Sequence, residues 1–150
     1  MPAAWRYELI AATSAHHEWL EILRREAYAD LFQATWGGWD EARHVRHFAE
    51  CLKQEHINII VVGDDHVGMI QMFDQPQALE IGEIQIRAQD RNRGIGSRVL
   101  LDAIGKARRH GKVVRLNVAL KNLAALRLYE RLGFRQTGRS ETHYHLASGA

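Results

Sequence analysis

Apolar periodicity that switches repeatedly between the two-residue repeat of a strand and the 3.6-residue repeat of a helix predicts a mixed α/β (α+β) fold. Three observations carry this reading. Ile81, Ile84 and Ile86 form a short β-branched strand, the polar residues Arg87 to Arg93 end it, and Val99, Leu100, Ala103, Ile104 and Ala107 follow at helical spacing. Two apolar runs, Ile57 to Val62 and Val67 to Phe73, flank Gly63-Asp64-Asp65-His66 as the arms of a hairpin. A further strand, Val113 to Ala119, leads into a helix that begins at Asn122.

The chain begins with a loosely alternating stretch, Trp5 to Thr13, read as an edge strand. Thr13 or Ser14 can cap the helix that follows, because a hydroxyl accepts from an amide with no intrahelical partner. Trp19, Leu20, Leu23, Ala27 and Leu31 recur at three and four residues and predict an amphipathic helix over residues 15–32. Gly37-Gly38 interrupts it, and Asp40 is placed to cap a second helix whose apolar face is Val45, Phe48, Ala49 and Leu52. After the hairpin, Asp74 to Ala78 makes a turn, with Pro76 unable to continue a ladder. His110-Gly111 stops the helix after the isoleucine strand. The helix from Asn122 is carried inward by Ala125, Leu128 and Leu132 and ended by Gly133, and Phe134 to Gly138 with Thr142 to Leu146 close the chain as two strands. No repeat, linker or low-complexity segment interrupts this order, and 150 residues make one domain, here 1–150.

Composition excludes several classes of function. A formal net charge of +2 is too small for nucleic acid to be the main partner. No run of about eighteen apolar residues is present to span a membrane, and the N-terminal residues lack a secretory pattern. The single cysteine, Cys51, has no internal partner for a disulfide, which fits a reducing, cytoplasmic setting; in its helical pattern it reads as a small buried thiol.

The chemistry concentrates between residues 80 and 107. A strand feeding a glycine-containing helix start is an anion site, because the first helical amides lack acceptors and the peptide dipoles add positive charge there. Arg91, Arg93 and Arg98 add full charges. Two nucleotide signatures do not fit: Val99 stands where the dinucleotide fingerprint needs its third glycine, and no Gly-Lys-Ser or Gly-Lys-Thr of a P-loop occurs. Arg91-Asn92-Arg93-Gly94-Ile95-Gly96 instead resembles the Gln/Arg-x-x-Gly-x-Gly/Ala pyrophosphate signature of the GNAT superfamily of acyl-CoA-dependent N-acyltransferases. Downstream, the segment from Asn122 through Ala125 and Tyr129 to Gly133-Phe134 is similar to that family's Asn-x-x-Ala-x-x-x-Tyr-x-x-x-Gly-Phe ending. The resemblance covers roughly residues 57 to 146.

The resemblance implies the GNAT fold: a mixed central sheet of about six to seven strands, splayed at the cofactor site and flanked by about four helices. It implies transfer of acetyl from acetyl-CoA, as acyl-donor cosubstrate, to a primary amine by direct attack. A small molecule is the leading acceptor; a protein or peptide amine and a non-catalytic CoA-binding module are the alternatives. Amides of Asn92, Arg93, Gly94, Ile95, Gly96 and Ser97 are expected to hold the pyrophosphate, with Arg91 and Arg93 as direct charges. Backbone groups of Ile84, Gln85 and Ile86 are expected to pair with the pantetheine arm, and Asn122 to contact the cofactor. Tyr129 occupies the position of a general acid near the cofactor sulfur, a role suited to a phenol that stays neutral at pH 7. Glu83, beside the expected thioester, is the candidate base, directly or through water, with Glu80 and Glu41 behind it. Some members use a glutamate on the following strand; Asn117 stands here. Many members pair through edge strands or helices, so a homodimer is the oligomeric expectation.

Trp36, Trp39 and Glu41, around the flexible glycines, are expected to line the acceptor side; the plainer reading is a helical corner pinned by aromatic packing. His44 with His47, and His143 with His145, each share a face of one element, but no cysteine or clear third ligand accompanies them, so no metal is expected and His143 is kept as an acceptor-pocket residue. The basic run Lys106 to Lys112 sits at a helix end, where cations complement the dipole.

Overall fold

The computed structural model describes residues 6–149, and of residues 30 and 34–36 the backbone alone. Trp5 lies outside the described residues. The elements are β1 (Tyr7–Ala11), α1 (His17–Trp36), α2 (Glu41–Gln54), β2 (Ile57–Val62), β3 (Asp65–Asp74), β4 (Ala78–Ile86), α3 (Ile95–Arg109), β5 (Val113–Ala119), α4 (Leu123–Arg131), β6 (Phe134–Arg139) and β7 (His143–Ser148). Short 3₁₀ turns occupy Ser14–His16 and Ala88–Asp90. The strands follow the order β1-β2-β3-β4-β5-β7-β6 in one seven-stranded sheet. This is the α/β architecture the periodicities predict, with β1 at an edge. By backbone proximity the chain divides into two compact units, residues up to Gln71 with Glu83–Arg93, and Met72–Gly82 with the residues from Gly94 onward.

In the first unit, β1 pairs antiparallel with β2, and β2 with β3. The second ladder shifts register between Ile60, opposite Gly68, and Val61, opposite His66, so Val67 is an extra residue, a β-bulge. α1 runs one turn past its expected end, because Trp36 still precedes the residue that stops it: Gly37, at φ 76°, adopts the left-handed cap that glycine takes without a Cβ penalty. Asp40 caps α2 as expected, accepting from the Arg43 amide at 3.0 Å. The inner face of α2 is a correction. His44 and Cys51 are its buried residues, with Phe48 and Leu52 packed at the side, while Val45 is 52% exposed. The helix is rotated so that positions 44, 48 and 51 face inward, a stripe hidden by its polar histidine. Leu20, Leu23, Cys51, Ile57, Ile59 and Met69 form the core, each larger side chain contributing about 1.5–3 kcal/mol on burial.

In the second unit, β4 pairs in parallel with β5 from Ala78 opposite Val113 to Ile81 opposite Leu116. β5 and β7, then β7 and β6, pair antiparallel. α3 packs on β5, burying Val99, Leu100, Ala103, Ile104 and Ala107 near Val114, Leu116 and Val118. The basic end of α3 carries Lys106, Arg108 and Arg109 in its last turn. α4 is capped by Asn122, whose Oδ1 accepts from the Ala125 amide at 3.3 Å. No helix among the described residues is long and apolar enough to cross a membrane.

Candidate active site

The anion-binding stretch follows from its backbone. Asn92 (φ 63°) and Gly94 (φ 81°) are both left-handed, and they turn the chain from β4 into α3. The first helical bond runs from the Arg98 amide to the Gly94 carbonyl at 3.0 Å, which leaves the amides of Ile95, Gly96 and Ser97 without an intrahelical acceptor. Two features keep them open. The cap residue, Gly94, has no side chain to accept from them, and no acidic residue stands in the first turn. Ile95 is buried and anchors the turn, and Gly96 and Ser97 are partly covered.

The arginines before this turn are organised by a residue that no sequence pattern singles out. Asp90, 5% exposed, accepts from Arg87 Nε at 2.6 Å and from Arg93 Nη1 at 2.7 Å. Arg91 donates through Nε to the Ile86 carbonyl at 3.0 Å, and Glu26 accepts from the Ala88 amide. Arg93 is therefore ion-paired with Asp90, while among the described residues Arg91 has no carboxylate partner; both stay exposed.

Glu83 is tied into a buried polar cluster. Arg24, 5% exposed, donates through Nη1 to both carboxylate oxygens, at 2.6 Å to Oε2. Oε2 also accepts from Gln85 Nε2 at 2.9 Å and from the Cys51 thiol at 3.7 Å. The Arg24 guanidinium lies 4.7 Å from the Tyr28 ring centroid. Burial works to lower its pKa, but Glu83 beside it overrides that and the net shift is upward. The same cluster pushes the Cys51 thiol up to about 12, chiefly by burial and then by the Glu83 charge, so Cys51 is an inert thiol. A small cavity of about 10 Å³ lies among Leu20, Arg24, Phe48, Cys51, Ile57, Met69, Glu83 and Gln85. Arg24 was legible in principle: it stands four residues after Leu20, on the inward stripe of α1.

The helical corner around Trp39 and Glu41 is closed on itself. Arg25 donates to Glu41 at 2.5 and 2.7 Å, and the Trp39 indole N–H to Glu41 at 2.9 Å. These bonds, Arg25 first, hold the Glu41 carboxyl down at about 2. Trp39 stacks on Phe32 with centroids 4.6 Å apart. The Trp36 side chain lies outside the described residues. His44 is fully buried beside Trp39 and Phe48, and neither ring nitrogen has a hydrogen-bond partner.

In the second unit, Tyr129 is partly covered and packs edge-on against Phe134 at 5.8 Å; burial pushes its phenol up to about 12, so it stays protonated at neutral pH. Asn117 is exposed and bonds through Oδ1 to His145 Nδ1 at 2.7 Å. Glu80 is paired with Arg115 at 2.9 Å. His143 is exposed, its ring nitrogen 2.8 Å from Thr142 Oγ1, and its pKa is lowered by partial burial and by His145. Among the described residues no group of three or more His, Cys, Asp or Glu side chains is placed to hold a metal ion.

No curated protein matches the chain. Solved structures do. The paiA N-acetyltransferase from Thermoplasma acidophilum, in complex with coenzyme A, aligns over 97% of this chain and 99% of its own, with 14% identity and a TM-score of 0.74. A Bacillus subtilis acetyltransferase in complex with CoA aligns over 97% and 99%, with 20% identity and a TM-score of 0.65. Arabidopsis thaliana Naa50, in complex with the bisubstrate analogue CoA-Ac-MVNAL, aligns over 96% and 99%, with 16% identity and a TM-score of 0.64. At such identities these likenesses establish the fold. Because the family model for GNAT acetyltransferases matches residues 17–134, from the start of α1 to the start of β6, the chain belongs to the GNAT acetyltransferase family.

Proposed function

We propose that the protein is an acetyl-CoA-dependent N-acetyltransferase that moves acetyl to a primary amine, with a small-molecule amine as acceptor. The observation that carries this reading is the start of α3: three amides without an intrahelical acceptor, a side-chain-free cap and no carboxylate in the first turn, preceded by Arg91. Such a helix start suits a pyrophosphate. In this reading the amides from Asn92 to Ser97 hold the pyrophosphate, and Arg91 and Arg93 add charge. Along a strand, consecutive residues offer their backbone groups to opposite edges. The Arg87 amide bonds to the Val67 carbonyl at 2.7 Å, so the peptide groups of Ile84 and Ile86 face the other edge of β4, which suits them to pair with a pantetheine arm, whereas Gln85, expected to pair as well, turns its carbonyl toward Gly68 of β3. Asn122, already the cap of α4, is assigned a contact to the cofactor.

The reaction then needs no covalent enzyme intermediate. The amine lone pair attacks the thioester carbonyl, the tetrahedral oxyanion collapses, and the carbon–sulfur bond breaks. The thiolate takes a proton from Tyr129, whose phenol is protonated at working pH. The proton lost by the amine passes through water to Glu83. Oε2 of Glu83 is committed to three donors, which leaves Oε1, shared with Arg24 alone, to receive it. Trp39, Glu41 and His143 are assigned to the acceptor side. The pairing of Glu83 with Arg24, Gln85 and Cys51 also favours a second reading, a CoA-binding module without transfer.

Thermal unfolding with and without acetyl-CoA, with ATP and NAD as controls, tests the cofactor half. Acetyl-CoA at about one hundred times its Kd should add roughly 2.7 kcal/mol to stability. Thiol release with amine and peptide panels then separates the enzyme from the module and one acceptor class from the other. Absence of acetyl-CoA binding removes the whole reading.

A further inference from the structure

Gly68 stands in the middle of β3, in the run Val67-Gly68-Met69-Ile70 where every side chain is buried. A glycine there weakens a strand unless something else needs the space. Something does. A Cβ built on Gly68 would lie 2.3 Å from the Gln85 carbonyl oxygen, 2.9 Å from Ile86 Cδ1 and 3.2 Å from Ile86 Cα. The first contact is with backbone, so no side-chain rotation relieves it. The position is fixed from both flanks. Toward β2, the bulge at Val67 sets the register beside Gly68, and toward β4 the Val67 carbonyl accepts the Arg87 amide at 2.7 Å. Gln85 is held as well, 6% exposed with its side chain on Glu83.

We infer that Gly68 is a positioning residue for the acyl-CoA arm: by admitting the Gln85 carbonyl into the place of its own side chain, it sets where the backbone of Ile84–Ile86 presents its groups. This rests on the proposed pairing of that segment with pantetheine. A side chain at position 68 forces the Gln85 peptide to move, and with it the peptide groups on either side. The Arg87–Asp90–Arg93 clamp and the first helical bond of the pyrophosphate turn, from the Arg98 amide to the Gly94 carbonyl, involve neither Gly68 nor Gln85. The arm and the phosphates are therefore separable.

The test compares acetyl-CoA with 3′-phospho-ADP, which keeps the pyrophosphate and lacks the pantetheine arm, by calorimetry on the full-length wild type and on Gly68→Ala. The expected result is a loss of about tenfold or more in acetyl-CoA affinity, the scale of one or two hydrogen bonds, with 3′-phospho-ADP affinity unchanged within about twofold. Equal affinity of both proteins for acetyl-CoA overturns the inference, as does an equal loss for both ligands, which would mark a general distortion. A wild type that binds 3′-phospho-ADP and not acetyl-CoA overturns it too, whereas failure to bind either removes the cofactor reading beneath it. Should Gly68→Ala not fold, amide spectra of the wild type decide: acetyl-CoA is expected to shift the Gly68 and Ile86 signals and 3′-phospho-ADP to leave them in place. Signals at both residues that ignore acetyl-CoA overturn the assignment.

Discussion

In the unit made of residues up to Gln71 with Glu83–Arg93, the buried side chains include Arg24, His44, Gln71, Gln85 and Asp90; in the other, among the described residues, Ser148 is the buried polar side chain. The second interior is built as a scaffold. Ser148 answers one backbone need, its hydroxyl accepting from the Val114 amide at 2.8 Å, and the rest of the α3 and β5 interface is aliphatic. The first interior holds charges and amides at fixed positions and pairs most of them, the His44 ring nitrogens and Arg24 Nε excepted, since an unpaired buried group costs far more than a paired one contributes. The contrast indicates where substitutions should be felt as electrostatics and where as volume.

The sharpest way to break the contrast is to remove one half of the ion pair. Arg24→Met leaves Glu83, with 17% of its side chain exposed, facing only a thiol and an amide. The expected loss is about 3–5 kcal/mol, measured by urea unfolding, and Arg24→Met with Glu83→Leu should recover most of it because two apolar groups replace two charges. A loss below about 1 kcal/mol would mean that water screens the pair and that this interior is wetter than its burial indicates.

Next in size is Tyr129→Phe, which carries the comparison to the scaffold side. Burial is the sole cause of its raised pKa, and it keeps this phenol protonated and available as a proton donor. Turnover should fall about a hundredfold, the lower end for a positioned general acid, with acetyl-CoA affinity and melting temperature nearly unchanged. Unchanged turnover sinks the assigned role.

Gln71→Leu comes third. Gln71, 1% exposed, donates to the carbonyls of Cys51 at 3.0 Å and Glu55 at 2.8 Å, where α2 gives way to β2 through two left-handed residues, Glu55 (φ 59°) and His56 (φ 60°). Losing two acceptors' partner should cost about 1–3 kcal/mol in unfolding free energy. Hydrogen exchange that rises at residues 55–58 and nowhere else would locate the cost at that turn.

These three substitutions also mark the limit of what the sequence reveals. Elements whose signals are local came through: Asp40 and Asn122 as caps, Gly37 and Gly133 at helix ends, the hairpin around Gly63, and the β4-to-α3 turn, because a cap or a left-handed turn is decided by residues a few positions apart. What was not legible was long-range pairing of polar groups. Arg24 meets Glu83 from 59 positions away, and Gln71 reaches Cys51 from 20. A hydrophobic stripe tells which face is inward but not that a charge on it will find its partner, which is why apolar periodicity points Val45 inward and passes over His44. Asp90 was hidden differently, as one more polar residue in a run ending a strand. Gly68 left a trace, an isolated glycine in an apolar strand, but what it makes room for is visible only once β4 lies beside it.

The smallest expected effect concerns His44, and it refines the contrast by pH. Burial first, then the charges of Arg25 and Arg24, lower its pKa, while Glu41 and Glu21 pull the other way. A histidine held neutral in the folded state takes up a proton more readily when unfolded. Stability is then full above the unfolded pKa of about 6.5 and is lost as pH falls below it toward the folded value, because the unfolded chain binds more protons. His44→Phe keeps the aromatic stack with Trp39 and Phe48 and removes the titration. Melting temperatures measured from pH 8 to 5 should fall less steeply for the variant than for the wild type, the two curves parting only below about pH 6.5. Parallel curves would mean that the imidazole finds a proton acceptor when charged, and His44 would then join Gln71 as a satisfied polar group rather than one held neutral by its surroundings.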